Sequence, residues 1–417
     1  MTHVHPSKAL MLVALSMLGA SAAGHDRLPT GVVAGDMNLS PFYRWDARLP
    51  KKPGVLLREE TLPRQHDMDA ADVSLRILYT STDVRWNSGR IPVSGTLYLP
   101  AGAPPSGGWP LLAWGHGTAG IADVCAPSWT THDERDASYL NRWLGAGFAV
   151  VVTDYQGLGG PGPHPYLYWQ AEARSLLDSA RAAFAARPGL ISNKVVVAGQ
   201  SQGAGAAVGV AWLVHEYAPD VQVLGIVATG TNSTFPDGPV ALPVRNSSNM
   251  FLSFASGGLR DDGPKIDDIV SSRGKQLLVT ARRACTDELG ALARSLKVRS
   301  LSDALSISLE QLAPYRIPVT DMPMGRTNVP LLIGTGLADD TVEPLRQYAV
   351  AAALCASNNV VLWHRYPGLD HDDALNGSFD DSLAFARALL AGERVSGNCS
   401  GISPPDAPVV QESPPRR

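Results

Sequence analysis

The sequence predicts an α/β protein: a mostly parallel sheet of eight strands, flanked by helices and interrupted late by a helical insertion. Three observations lead there. Short apolar runs alternate with segments of helical spacing, the pattern of strands joined through crossover helices. Most of these runs lack polar alternation, as expected of strands covered on both faces. Finally, residues 230–328 carry no strand pattern, whereas connections in α/β units usually take about 2–6 residues.

In chain order, residues 1–23 read as an export signal rather than as fold. Lys8 precedes an apolar run over 9–20, and Ala20-Ser21-Ala22 fits a small-residue cleavage site. The run is too short to span a bilayer, which needs about 20 residues. Residues 24–72 read as an N-terminal extension. The β-branched runs 73–80 and 91–99 are split by Asn87-Ser88-Gly89 and predict an antiparallel hairpin. Buried strands are expected at 110–114, 148–153, 194–198, 223–229, 329–335 and 360–365. Helices are expected at 170–187, 202–217, 343–357 and 379–392. Residues 231–325 form the expected helical cap, with patterns at 274–296 and 302–312. The core is then 73–230 and 326–402, and the Pro-rich 403–417 reads as a disordered tail.

The 417 residues include 35 basic and 39 acidic ones, for a net charge of −4. That balance offers no basic footprint for nucleic acid. A hydrophobic content of 45% excludes an intrinsically disordered chain. Beyond the signal no stretch is long and apolar enough to span a bilayer, and oligomeric state leaves no trace. Four cysteines, Cys125, Cys285, Cys355 and Cys399, suggest two disulfides in an exported chain. Three pairings exist and the sequence does not choose; Cys125–Cys285 and Cys355–Cys399 is the expected one. No pair has C-x-x-C spacing, so no metal site is expected, and no phosphate-binding glycine loop or other cofactor motif appears.

The chemistry centres on Gly199-Gln200-Ser201-Gln202-Gly203. This G-x-S-x-G follows one strand directly and opens a helix, the context in which such a serine is exposed on a strained turn. A serine hydroxyl needs a base and an orienting acid, which in this architecture follow it in chain order. Asp339 lies just past the strand at 329–335, with Asp340 as its rival. His371 follows the next strand and is the expected general base. Asp370 reads as a loop residue and His364 as a packed strand histidine; His132, His164 and His215 show no partner pattern. Two N–H donors are needed for the oxyanion. Gln202 is expected to supply one and Thr118, in Trp114-Gly115-His116-Gly117-Thr118, the other. His116, Gly117 and Tyr155 are candidate substrate-contacting residues, with structural turns as the alternative.

Gly115-His116-Gly117-Thr118, the run Asp154-Tyr155-Gln156-Gly157-Leu158-Gly159, the elbow 199–203, Gly336–Asp339 and Tyr366–His371 occur in this order. Together they resemble the secretory lipase family of the α/β-hydrolase superfamily, across roughly residues 75–395. The resemblance implies a secreted or periplasmic serine carboxylic-ester hydrolase acting on small-molecule or lipid esters, with a helical cap over the site. A serine peptidase or amidase, an acyltransferase and a non-catalytic binding protein remain the alternatives at this point.

Overall fold

The computed structural model describes residues 39–66, 68–87, 89–240 and 248–405. The expected signal 1–23 and most of the expected tail, 406–417, lie outside them.

Nine strands form one sheet: β1 Leu56–Thr61, β2 Ala71–Thr82, β3 Arg90–Pro100, β4 Trp109–Gly115, β5 Ala149–Thr153, β6 Ile191–Gln200, β7 Val223–Thr229, β8 Leu331–Gly336 and β9 Val361–Tyr366. Their order is β1-β2-β3-β5-β4-β6-β7-β8-β9. β1, β2, β3 and β5 pair antiparallel, and every ladder from β5 to β9 is parallel. The sheet thus has one strand more than the eight expected, and the region read as an extension supplies it. Leu-Leu-Arg-Glu-Glu-Thr has no polar alternation to announce a strand; its outer half is exposed, as suits an edge.

The core helices are α1 Glu134–Gly145, α2 Trp169–Ala186, α3 Gln202–Tyr217, α10 Pro344–Ala356, α11 Asp373–Gly377 and α12 Phe379–Leu390. Successive strand residues point to opposite faces, and the central strands are apolar on both. Leu111, Ala113, Val195 and Val197 join the cluster containing α2 and α3 residues such as Leu176 and Val210. Leu112, Trp114, Val196 and Ala198 pack with Leu140, Trp143, Phe379 and Phe385 of α1 and α12.

Between β7 and β8 lie α4 Ser248–Ala255, α5 Ile266–Ile269, α6 Ser272–Ala281, α7 Thr286–Ser295, α8 Leu301–Ala304 and α9 Leu309–Leu312. The pattern 274–296 therefore makes two helices, not one. The break lets Cys285 bond Cys125 and lets Thr286 N–H donate to the Ala119 carbonyl at 3.1 Å. The pattern 302–312 divides as well, because Leu305 bridges Val270 and Ser308 starts α9 with a capping box. These helices share a cluster of their own, including Phe251, Leu277 and Leu301, into which the core loops insert Ile121, Tyr166 and Leu167. The second disulfide, Cys355–Cys399, joins the end of α10 to the segment after α12.

Parallel register sets the ends of the strands level. Gly115 lies beside Gly199, Gln200 beside Thr229, Thr229 beside Gly334 and Gly336 beside Tyr366. β5 and β6 flank β4 on opposite sides, so the crossovers diverge there. The loops leaving these ends share one rim, where open α/β sheets gather ligands.

Candidate active site

Ser201 stands between β6 and α3 with φ +57° and ψ −116°. That left-handed φ is costly for a side chain with a Cβ, by roughly 1–3 kcal/mol, and it must be over-determined by its surroundings. The flanking glycines show how. A Cβ on Gly203 would lie 1.9 Å from the Gly115 carbonyl oxygen, and one on Gly199 would lie 2.1 Å from that of Gly203. The helix start therefore packs backbone to backbone on the end of β4. Ser201 N–H donates to the Thr229 carbonyl at 2.9 Å, which pins the turn to β7. Gln202 begins α3, where an N–H has no partner within the helix.

His371 is buried, and its Nδ1 lies 2.7 Å from Asp339 Oδ2. With Nδ1 engaged, Nε2 is the nitrogen left for proton transfer. The imidazole rests against Gly230, which has φ +63° directly after β7. A Cβ there would come within 2.9 Å of His371 Cε1. Since Thr229 holds the Ser201 backbone, Gly230 brings the ring to the same strand end as the serine. Gln200 Nε2 donates to the His371 carbonyl at 2.9 Å.

Asp339 has a buried carboxylate filled with donors. Oδ1 accepts from Thr341 N–H at 2.9 Å and Val342 N–H at 2.8 Å; Oδ2 accepts from Gln347 Nε2 at 2.7 Å. Asp340 is exposed, and Asp370 accepts from the backbone of Asp372 and Asp373. His364 pairs with Asp381 at 2.9 Å, away from the serine turn.

The loop after β4 is braced from below. His116 Nδ1 lies 2.6 Å from the Gly117 carbonyl. In a trans peptide the next N–H, that of Thr118, then points the opposite way. Thr118 Oγ1 bonds the Tyr166 hydroxyl at 2.7 Å. Tyr155, fully buried at φ +66°, donates its hydroxyl to the His116 carbonyl at 3.0 Å. His116 and Tyr155 therefore sit beneath the loop with their polar atoms turned inward. Burial holds the His116 imidazole down at about 4, so it is neutral at neutral pH.

Sequence reasoning missed Gln347 and Gln200, whose amides carry no motif, and Arg135. The Arg135 guanidinium binds Asp133, Asp136 and Asp372 and would lie 3.3 Å from a Cβ on Gly117. It also missed Glu172 and set His164 aside for want of a partner pattern. Among the described residues no group of three or more His, Cys, Asp or Glu is placed to hold a metal ion.

Residues 124–277, including the Ser201 turn, match the family model described as secretory lipase. Over that segment the chain is similar to the secretory lipase family. It is accordingly a carboxylic-ester hydrolase. No curated protein matches it by sequence. Lipase A of Candida antarctica in its closed state resembles this chain with a TM-score of 0.68 at 19% identity, over 89% of this chain and 90% of that one. The rice cell wall degrading esterase LipA of Xanthomonas oryzae resembles it at TM-score 0.61 and 17% identity, over 82% of this chain and all of that one, 100%. At such identities the likeness establishes the α/β-hydrolase fold. Within the described residues no helix is long and apolar enough to cross a membrane.

Proposed function

We propose that this hydrolase works through an acyl-enzyme on Ser201, with His371 as general base and acid and Asp339 as its orienting carboxylate. The observation that carries this is the 2.7 Å Asp339–His371 contact, lodged against Gly230 beside the strained Ser201 turn. Ser201 Oγ attacks the ester carbonyl carbon while His371 Nε2 takes its proton. Asp339 fixes the Nδ1–H tautomer and stabilises the imidazolium. The oxyanion is held by Gln202 N–H and Thr118 N–H; losing one such donor typically costs about 100–1000-fold in turnover. Collapse of the tetrahedral species expels the alcohol, which receives the proton from His371. Water then attacks the acyl carbon, giving its proton to the same nitrogen; collapse breaks the bond to Ser201 Oγ, which takes that proton back from His371 as the acid leaves.

Residues 231–325 act as a cap whose apolar faces screen the acyl chain. The signal at 1–23 and the two disulfides support a secreted or periplasmic enzyme. The substrates are small-molecule or lipid esters. The test is turnover of nitrophenyl esters of increasing chain length, and of matched anilides, by wild type and Ser201→Ala. Wild type is expected to cleave esters far faster than anilides, and the variant neither. Full ester turnover by Ser201→Ala overturns the nucleophile assignment.

A further inference from the structure

A second carboxyl–imidazole arrangement lies under the serine turn, and the chemistry above leaves it without a task. Glu172, in the first turn of α2, is buried, as are Gln202 and His164. Gln202 Nε2 donates to Glu172 Oε1 at 2.7 Å and to His164 Nε2 at 2.7 Å. His164 Nδ1 lies 2.8 Å from the Gln156 carbonyl, which fixes the proton on Nδ1 and leaves Nε2 as the acceptor. Leu167 N–H gives Glu172 Oε1 a second donor at 2.9 Å. The His164 ring stacks on Tyr155 with centroids 5.8 Å apart, and Tyr155 lies 4.5 Å from His116. One buried column therefore runs from the side chain of Gln202 to the loop that carries Thr118.

We propose that Glu172 and His164 are positioning residues for ester hydrolysis: they clamp the Gln202 side chain and so fix its backbone N–H where the oxyanion forms. The proposal rests on Ser201 being the nucleophile.

The titratable groups facing Glu172 are His164 and Tyr166 from the loop before α2 and Tyr155 from the loop after β5. None brings a positive charge: burial holds His164 down at about 3, and burial pushes both tyrosines up. Two neutral N–H donors are meagre compensation for a carboxylate in a dry site. Burial accordingly pushes Glu172 up to about 8. Below that pH the neutral acid sits quietly behind the turn. Above it, a negative charge lies next to the residue that must stabilise another one, and turnover falls.

The experiment is kcat and KM against pH, from about 5 to 10, for wild type, Glu172→Gln and Glu172→Ala, with thermal melts of each. Wild type is expected to lose turnover on the alkaline side with a midpoint near Glu172's own, about 8. Glu172→Gln keeps a neutral acceptor, so it retains turnover at neutral pH and moves that limb up by about one pH unit or more. Glu172→Ala frees Gln202 and lowers kcat about tenfold with KM within about twofold. If Glu172→Ala does not fold, the limb in Glu172→Gln decides alone. An alkaline limb unmoved in Glu172→Gln, or wild-type kcat in a folded Glu172→Ala, overturns the proposal. Hydrolysis surviving in Ser201→Ala is a different failure, that of the nucleophile assignment.

Discussion

Two buried carboxyls stand on either side of Ser201, each near an imidazole, and their surroundings differ. Asp339 collects two backbone N–H groups, the Gln347 amide and His371 Nδ1. Glu172 collects one backbone N–H and the Gln202 amide, and its histidine offers a lone pair at 3.7 Å rather than a proton. The histidines differ in the same sense. His371 gives Nδ1 to a carboxylate, whereas His164 gives it to a carbonyl and burial keeps it neutral. Proximity of an acid to an imidazole is therefore not what sets the pair proposed for catalysis apart. Around Glu172 the donors are few and neutral, and burial pushes its carboxyl up.

This contrast is broken most severely by Asp339→Asn. Geometry is preserved, but the amide no longer selects the Nδ1–H tautomer, and kcat on a nitrophenyl ester should drop by about 10³–10⁴-fold with the melting temperature little changed. Gly230→Ala comes next. The added methyl meets His371 Cε1, and its positive φ is strained as well, so kcat should fall about 10²-fold as the ring is displaced. Gln347→Ala removes one of four donors from Asp339, with an expected loss of about tenfold in kcat and no change in KM.

Glu172→Gln gives the smallest effect and sharpens the comparison from the stability side. Glu172 titrates at about 8 in the fold but near its ordinary value, about 4.3, when unfolded. Between those values the unfolded chain releases the proton that the folded chain keeps. Wild-type stability is thus lost as pH rises through that window. The variant is expected to melt a few degrees above wild type near pH 8, with the gap closing toward pH 4, in melts run across that range.

The sequence made the parallel strands, the serine turn and the chain order of Ser201, Asp339 and His371 legible, because each depends on local patterns. Residues 195–198 of β6 and 223–228 of β7 are continuous runs without a polar side chain, and the turn between β6 and α3 tolerates only glycine at 199 and 203. What escaped depends on contacts between distant segments. Glu172 looks like one polar residue in an amphipathic helix until the fold buries it on Gln202, 30 positions away. Gln200 and Gln347 matter through amides whose acceptors are set by tertiary packing. The strand at 56–61 is fixed by pairing with β2 rather than by its own alternation, and the break between α6 and α7 by a disulfide 160 residues long.

That disulfide ties two parts of the molecule that the chain keeps far apart. Cys125 closes the stretch that begins at Thr118, and Cys285 opens α7. With the Thr286–Ala119 hydrogen bond alongside, a displacement of that insertion helix is passed as a pull on the strand-end loop. Under the proposed function, a substrate that pushes against the helices thereby also adjusts the loop assigned to its carbonyl oxygen.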